Sequence, residues 1–438
     1  MKARLRRVLV AVAVAWLCIA AVRGIFAAWA LPRLGDYEDK WREDVARVRQ
    51  RAEQDTVSVP SDQAGGEHAA CLYRQVLETL DTDQRATLLS RKDVIVDAAS
   101  AGRVELPNGN QNAASICAVL SETIETTSPT GSCDWDIEEL VKGHPGEDHD
   151  SVTLARVGAG CLVIEGNNLL AAGDVQAAYR RYVQTLRIRA DLRGGEIFMY
   201  ISGLGIAGMG VDRLAELMSS SYASTVAPYF PMELPGLAPT LGELVAVVEV
   251  ERLMGWERAS AYETPEVFGD HDGWSRLVWR GLALLVTRKA IGAYFLTSRR
   301  EHVFRALAEA VAIEDPREAA DRLQEAVESA HQVPHPLVGA EVSLWPKFRI
   351  SHDDLLARIR LVLAAAKLEE LKVETGSYPL DGSAIGLPVD PFAWPRTIQY
   401  EALSEGQGYR LWSVGEDLID DHGRARDRKD LMLERMSQ

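Results

Sequence analysis

The chain has no surplus of positive charge. Its 438 residues hold 48 Lys and Arg against 64 Asp and Glu, a net charge of −16, and this excludes the basic surface that a phosphate backbone requires. Reaction signatures are missing as well. No H-E-x-x-H, G-x-S-x-G, S-x-x-K or P-loop pattern occurs, so neither zinc-hydrolase, serine-hydrolase nor nucleotide chemistry is marked. The five cysteines form no C-x-x-C, which removes the usual zinc and thiol-redox motifs. Aromatics make up only 7%, but 47% hydrophobic and 26% charged residues describe a folded protein of two or three domains, each able to bury a core.

What is present is polarised along the chain. The first 51 residues carry eleven Lys or Arg against five Asp or Glu, a local +6, which leaves −22 on the remainder. Lys2, Arg4, Arg6 and Arg7 precede the charge-free run Val8–Val22, and Arg23 separates it from a second apolar stretch, Gly24–Leu31. Residues 8–31 are long enough to cross a bilayer if Arg23 extends its guanidinium to the far interface, and the basic cluster holds the start in the cytoplasm. The sequence therefore predicts a single-pass inner-membrane anchor in contact with lipid through residues 8–31, with the bulk of the chain in the periplasm. The alternative is a cleaved signal peptide ending at Ala28-Trp29-Ala30. Either arrangement exports Cys71, Cys117, Cys133 and Cys161 into a compartment where disulfides persist. Three pairings are open to them, as is a set of buried thiols.

Beyond the anchor, helical periodicity dominates. Tyr37, Trp41, Val45 and Val48 recur at helical intervals in a charged stretch, giving a stalk helix and linker over 32–66. A helical domain is expected over 67–350. Its clearest unit is a hairpin, with a helix from about Val152 to Ala172, a Gly173-Asp174 turn, and a second helix with Val175, Ala178, Tyr179, Tyr182, Leu186 and Ala190 on one stripe. This pair resembles one tetratricopeptide-type hairpin, without a second copy at that period. Further helices are predicted at 196–220, 240–260, 274–296, 299–313 and 316–331. Gly203, Gly205 and Gly208 match G-x-G-x-x-G, but no alternation of strand and helix surrounds them, so they read as small residues at a close helix contact and no nucleotide is expected. His144, Glu147, Asp148, His149 and Asp150 gather in a stretch read as a polar interhelical loop, with metal binding as the sharper alternative.

From 351 to 438 the pattern changes to a small α+β module. A helix opens at Asp353-Asp354 and stops at Gly376, and two strands, Thr397–Leu403 and Tyr409–Val414, form a hairpin across a Gly-bearing loop. The segment from Leu368 to Gly423 resembles the globular end of the major pseudopilin of type II secretion. The resemblance is carried by Gly376, Tyr378, Pro379, Asp390, Pro391, Tyr409, Leu411, Ser413, Val414 and Gly415. The whole chain is similar to large membrane-anchored bacterial proteins that end in the same way. The resemblance implies calcium in the acidic loop after the hairpin, held by Glu416, Asp417, Asp420 and Asp421, a donor set suited to a hard cation. Near Gly24 the sequence departs from a pseudopilin leader, because no Gly precedes Phe or Met with Glu at the fifth following position, so processing into a pilus subunit is not expected.

These readings define a mostly α protein with an irregular helical-hairpin domain, a transmembrane helix over 1–31 and a helix-plus-hairpin module at its end. The expected role is an extracytoplasmic interaction or scaffold protein with a protein partner in the envelope, linked to a secretion or pilus-like assembly. The alternative is an envelope hydrolase or lyase with its site in a cleft of the helical domain.

Overall fold

A computed structural model describes residues 43, 82–104, 145–192, 197–261, 288–332, 342–423 and 430–436. The expected anchor, nearly all of the stalk, and Cys71, Cys117, Cys133, His144 and His335 lie outside the described residues. Within them the protein is mostly helical with one small antiparallel sheet. The helices are α1 (Thr82–Ser100), α2 (Pro145–Ala171), α3 (Val175–Asp191), α4 (Ile197–Ser219), α5 (Leu241–Ala261), α6 (Arg288–Val311), α7 (Pro316–His331) and α8 (Trp345–Thr375). Short helical turns fill 223–237, where prolines interrupt anything longer.

The α2–α3 hairpin forms where the sequence places it. Gly173 takes a φ of +85°, and the Asp174 carboxylate accepts from the Ala177 amide at 3.1 Å, satisfying a donor that the first helical turn leaves free. The predicted stripe on α3 is buried apart from Ala190, which is half-buried, but Val183, Ile188 and Leu192 are buried too. α3 therefore packs on more than one side, against α2 and α4. Two glycines set those distances. A Cβ on Gly166 would lie 2.5 Å from the Tyr182 ring, and one on Gly210 would lie 1.9 Å from Thr185 Oγ1 and 2.6 Å from the Tyr182 carbonyl. Of the G-x-G-x-x-G residues, Gly203 packs against Arg189 and Leu192 as expected, whereas Gly205 and Gly208 meet no described neighbour within 4 Å.

α4 is the one described helix long and apolar enough to cross a membrane, yet half of its apolar window is buried inside the protein. Its inward residues, among them Met199, Tyr200, Leu204, Ile206 and Leu214, belong to the main core. α7 begins and ends as predicted, because Asp315 caps it by accepting from the Arg317 and Glu318 amides and Pro316 occupies its first turn.

Several expectations are corrected. Pro145 to Asp150 form the first turns of α2, not a loop. α1 was not predicted; in its last turns Ile95, Val96, Ala98 and Ala99 are buried. α6 runs unbroken through 296–299. α8 starts at Trp345 rather than at Asp353, so residue 351 lies inside a helix of 31 residues, about 46 Å long. Its end is as expected, with Gly376 left-handed at φ +86° and its amide donating to the Lys372 carbonyl at 2.8 Å.

The C-terminal sheet has three strands, β1 (Gln399–Leu403), β2 (Gly408–Ser413) and β3 (Leu431–Met436), in the order β1-β2-β3. Tyr400, Leu411 and Leu433 lie in register across it. The hairpin was predicted; β3 was not, because Leu-Met-Leu-Glu-Arg-Met is built of residues that favour helices rather than β-branched ones. Its burial is set by what it meets. Tyr409, Leu411 and Leu433 join α4 and α8 residues in one continuous core that extends back to α1.

Candidate functional site

The most concentrated chemistry lies along α8, whose apolar face is interrupted by Arg349, His352, Asp353 and Glu369, all buried. Arg349 Nε donates to Asp353 at 2.8 Å, one helical turn on. Its Nη1 donates to the carbonyls of Val311 and Ile313 at 2.8 and 2.9 Å, so the cation sits on the C-terminal end of α6, where the helix dipole favours it. Burial pushes the Asp353 carboxyl up to about 6, against the opposing pull of Arg349 and Arg360.

His352 is fully enclosed and shares a 2.6 Å hydrogen bond with the Tyr200 hydroxyl of α4 through Nδ1. Its other nitrogen, Nε2, has no described partner. Burial, then Arg349, Arg189 and Arg360, hold this imidazole well below its ordinary range, so it is neutral. The Tyr200 phenol is shifted up by its burial. Arg189 of α3 lies over the Tyr200 ring, 5.8 Å from its centre, and pairs with Glu243 of α5. Four helices thus contribute to one polar seam.

A second part of the seam lies under the sheet. The Glu369 carboxylate accepts from the Tyr378 hydroxyl at 2.6 Å and lies 3.3 Å from Arg435 of β3. Asp390 is completely buried and accepts from Ser413 Oγ at 2.7 Å and from the Phe392 and Val414 amides at 3.0 Å each. Burial raises its pKa against these three donors. The residues that carried the resemblance converge here: Asp390 grips Ser413 and Val414, and the Tyr378 and Tyr409 rings meet edge-on at 4.9 Å. Their evident work is to lock the loop, hairpin and helix together.

The four carboxylates expected to bind calcium sit on the turn after β2. Asp417 Oδ1 accepts from the Ile419 amide at 3.1 Å. Asp420 Oδ1 accepts from Trp412 Nε1 at 3.0 Å and the His422 amide at 2.9 Å, while Glu416 faces Asp354 of α8 electrostatically. Asp430, not among the predicted carboxylates, accepts from the Gly423 amide at 3.0 Å, and its carboxyl is raised by burial and by the nearby charges of Asp421 and Asp420. Among the described residues, no group of three or more His, Cys, Asp or Glu side chains is arranged to hold a metal ion.

Tyr200, Arg349, His352, Asp353 and Arg435 were not predicted as interior polar groups. One signal was available: Arg349 and Asp353 stand four apart on a long, largely apolar helix. Cys161 is buried in α2 and disulfide-bonded, and its partner, one of the other four cysteines, lies outside the described residues. The chain matches no known protein family, no curated protein and no solved structure.

Proposed function

We propose that the protein is a membrane-anchored, extracytoplasmic scaffold whose helical stack and C-terminal sheet present one rigid body to a protein partner in a secretion or pilus-like envelope assembly. The observation that carries the exported placement is the Cys161 disulfide, since such bonds persist in oxidising compartments and are rare in the cytosol. Rigidity is supported by the main core, which joins the helices to the sheet, and by the seam, where buried charges are paired across helices and between helix and sheet. The Tyr200–His352 pair has the chemistry of a general acid and base, but it is sealed from solvent, which favours a scaffold over a hydrolase. A phosphatase reporter fused after Gln438, active only when exported, tests the placement. Activity confined to a cytosolic reporter at the same position overturns it.

For the acidic loop we propose a calcium site using Glu416, Asp417, Asp420 and Asp421, supported by the hard-oxygen donor set and the adjacent Asp430. Millimolar calcium then raises the melting temperature of the full chain relative to chelator, and substituting Asp420 and Asp421 by Asn abolishes the difference. Equal melting in calcium and chelator removes this site.

A further inference from the structure

We infer that the open edge of β3 takes up an extended strand of the partner protein, one that reads apolar-x-Lys/Arg-x-apolar. The inference rests on the scaffold reading for there being a protein partner, and it names the place and the chemistry of docking.

β3 ends the sheet on one side and β1 on the other. An edge strand turns about half of its amides and carbonyls away from its neighbour, and these groups need partners of their own. At β1 the preceding loop closes the start of the edge. The Asp390 amide donates to the Arg396 carbonyl at 2.8 Å, the Ile398 amide to the Pro388 carbonyl at 2.9 Å, and the Tyr400 hydroxyl to the Pro379 carbonyl. At β3, among the described residues, no backbone bond forms on the side away from β2. The usual guards of such an edge are missing or spent. Leu431–Met436 contains no Pro or Gly and pairs with β2 residue for residue, without a bulge. Its inward charge, Arg435, is already engaged by Glu369 and the Met218 carbonyl.

The face of the sheet turned away from the core specifies the side chains. Three rows cross it in register: Leu403, Gly408 and Met436; Glu401, Arg410 and Glu434; Gln399, Trp412 and Met432. In the middle row Arg410 donates to Glu401 through Nη1 at 3.1 Å and to Glu434 through Nε at 2.9 Å. Charge therefore alternates negative, positive, negative, and stops on a carboxylate at the open edge. A fourth strand continues the alternation with a cation opposite Glu434, because facing cross-strand positions favour opposite charges and penalise like ones. On either side of Glu434, Met432 and Met436 are 41% and 50% exposed. Apolar residues two positions before and after the cation fall on the same face and cover them. A second copy paired two-fold about Glu434 sets that carboxylate against itself, so β3 of another copy does not fit this pattern.

The test uses the full chain and the synthetic peptide Thr-Val-Thr-Lys-Thr-Val-Thr, with a second peptide carrying Glu in place of Lys. Hydrogen exchange reads the place of binding: the amides of β3 gain protection and those of α3 do not. At fixed ionic strength the Lys peptide binds about fivefold more tightly than the Glu peptide. Glu434→Gln brings the two close to equality while β3 remains the protected strand, and a peptide with Pro in place of both Val residues does not bind. The inference is overturned if neither peptide protects β3, if both bind the wild type equally, or if Glu434→Gln keeps the wild-type preference. Its failure is distinct from that of the exported placement. A chain exported by the reporter test whose β3 ignores the peptide removes the edge alone, whereas peptide protection of β3 in a chain confined to the cytosol upholds the edge and removes the envelope partner.

Discussion

Arg435, in the last strand, places its guanidinium 3.3 Å from the Glu369 carboxylate of α8 and donates to the Met218 carbonyl at the end of α4. One side chain thus ties β3 to two helices. Removing one member of a buried pair leaves the other charge unpaired in the interior, at a cost of about 3 to 5 kcal/mol. We therefore expect Arg435→Met to lower the melting temperature of the full chain by many degrees. Arg435→Met combined with Glu369→Gln is expected to recover much of the loss. A double variant no more stable than the single one would contradict this account of the pair.

Gly210 and Gly205 give a matched comparison on one helix. Gly210→Ala forces a methyl group into Thr185 Oγ1 and the Tyr182 backbone, and overpacking of this kind costs about 1 to 3 kcal/mol. Gly205→Ala meets no described neighbour within 4 Å and gains up to about 1 kcal/mol from helix propensity. Urea denaturation of the two variants should give shifts of opposite sign.

The Cys161 disulfide predicts a redox dependence of stability. Reductant lowers the melting temperature of the wild type, and Cys161→Ser melts at the reduced value with or without it. The loss corresponds to about 2 to 5 kcal/mol. A wild type indifferent to reductant, with thiols open to alkylation in the folded state, contradicts the bond.

His352 makes the fold sensitive to acid. Its folded pKa lies well below the ordinary 6.5, so the unfolded chain takes up a proton that the fold refuses, and stability is lost as pH falls below about 6.5. Replacing it by Gln removes that loss. The stability difference, wild type minus His352→Gln, should become more negative by up to about 1.4 kcal/mol per pH unit between pH 6 and pH 5. A difference that stays constant over this range rules out a neutral buried imidazole.

Sequence alone determined the local geometry. Asp174 and Asp315 are cap residues whose short carboxylates reach their own helix's first amides, so α3 and α7 were legible within a few residues of chain. Gly376 and the alternation around Tyr409 and Leu411 likewise marked the end of α8 and the hairpin. Tertiary structure alone decided that α8 extends back to Trp345, that Leu431–Met436 is a strand, and which charges lie inside. The reason is distance along the chain. Arg349 finds its carbonyls 36 and 38 residues away, Tyr200 finds His352 152 residues away, and Arg435 reaches Met218 across 217. A polar residue destined for the interior looks like one destined for water until the fold brings its partner within hydrogen-bond range and removes the solvent from between them.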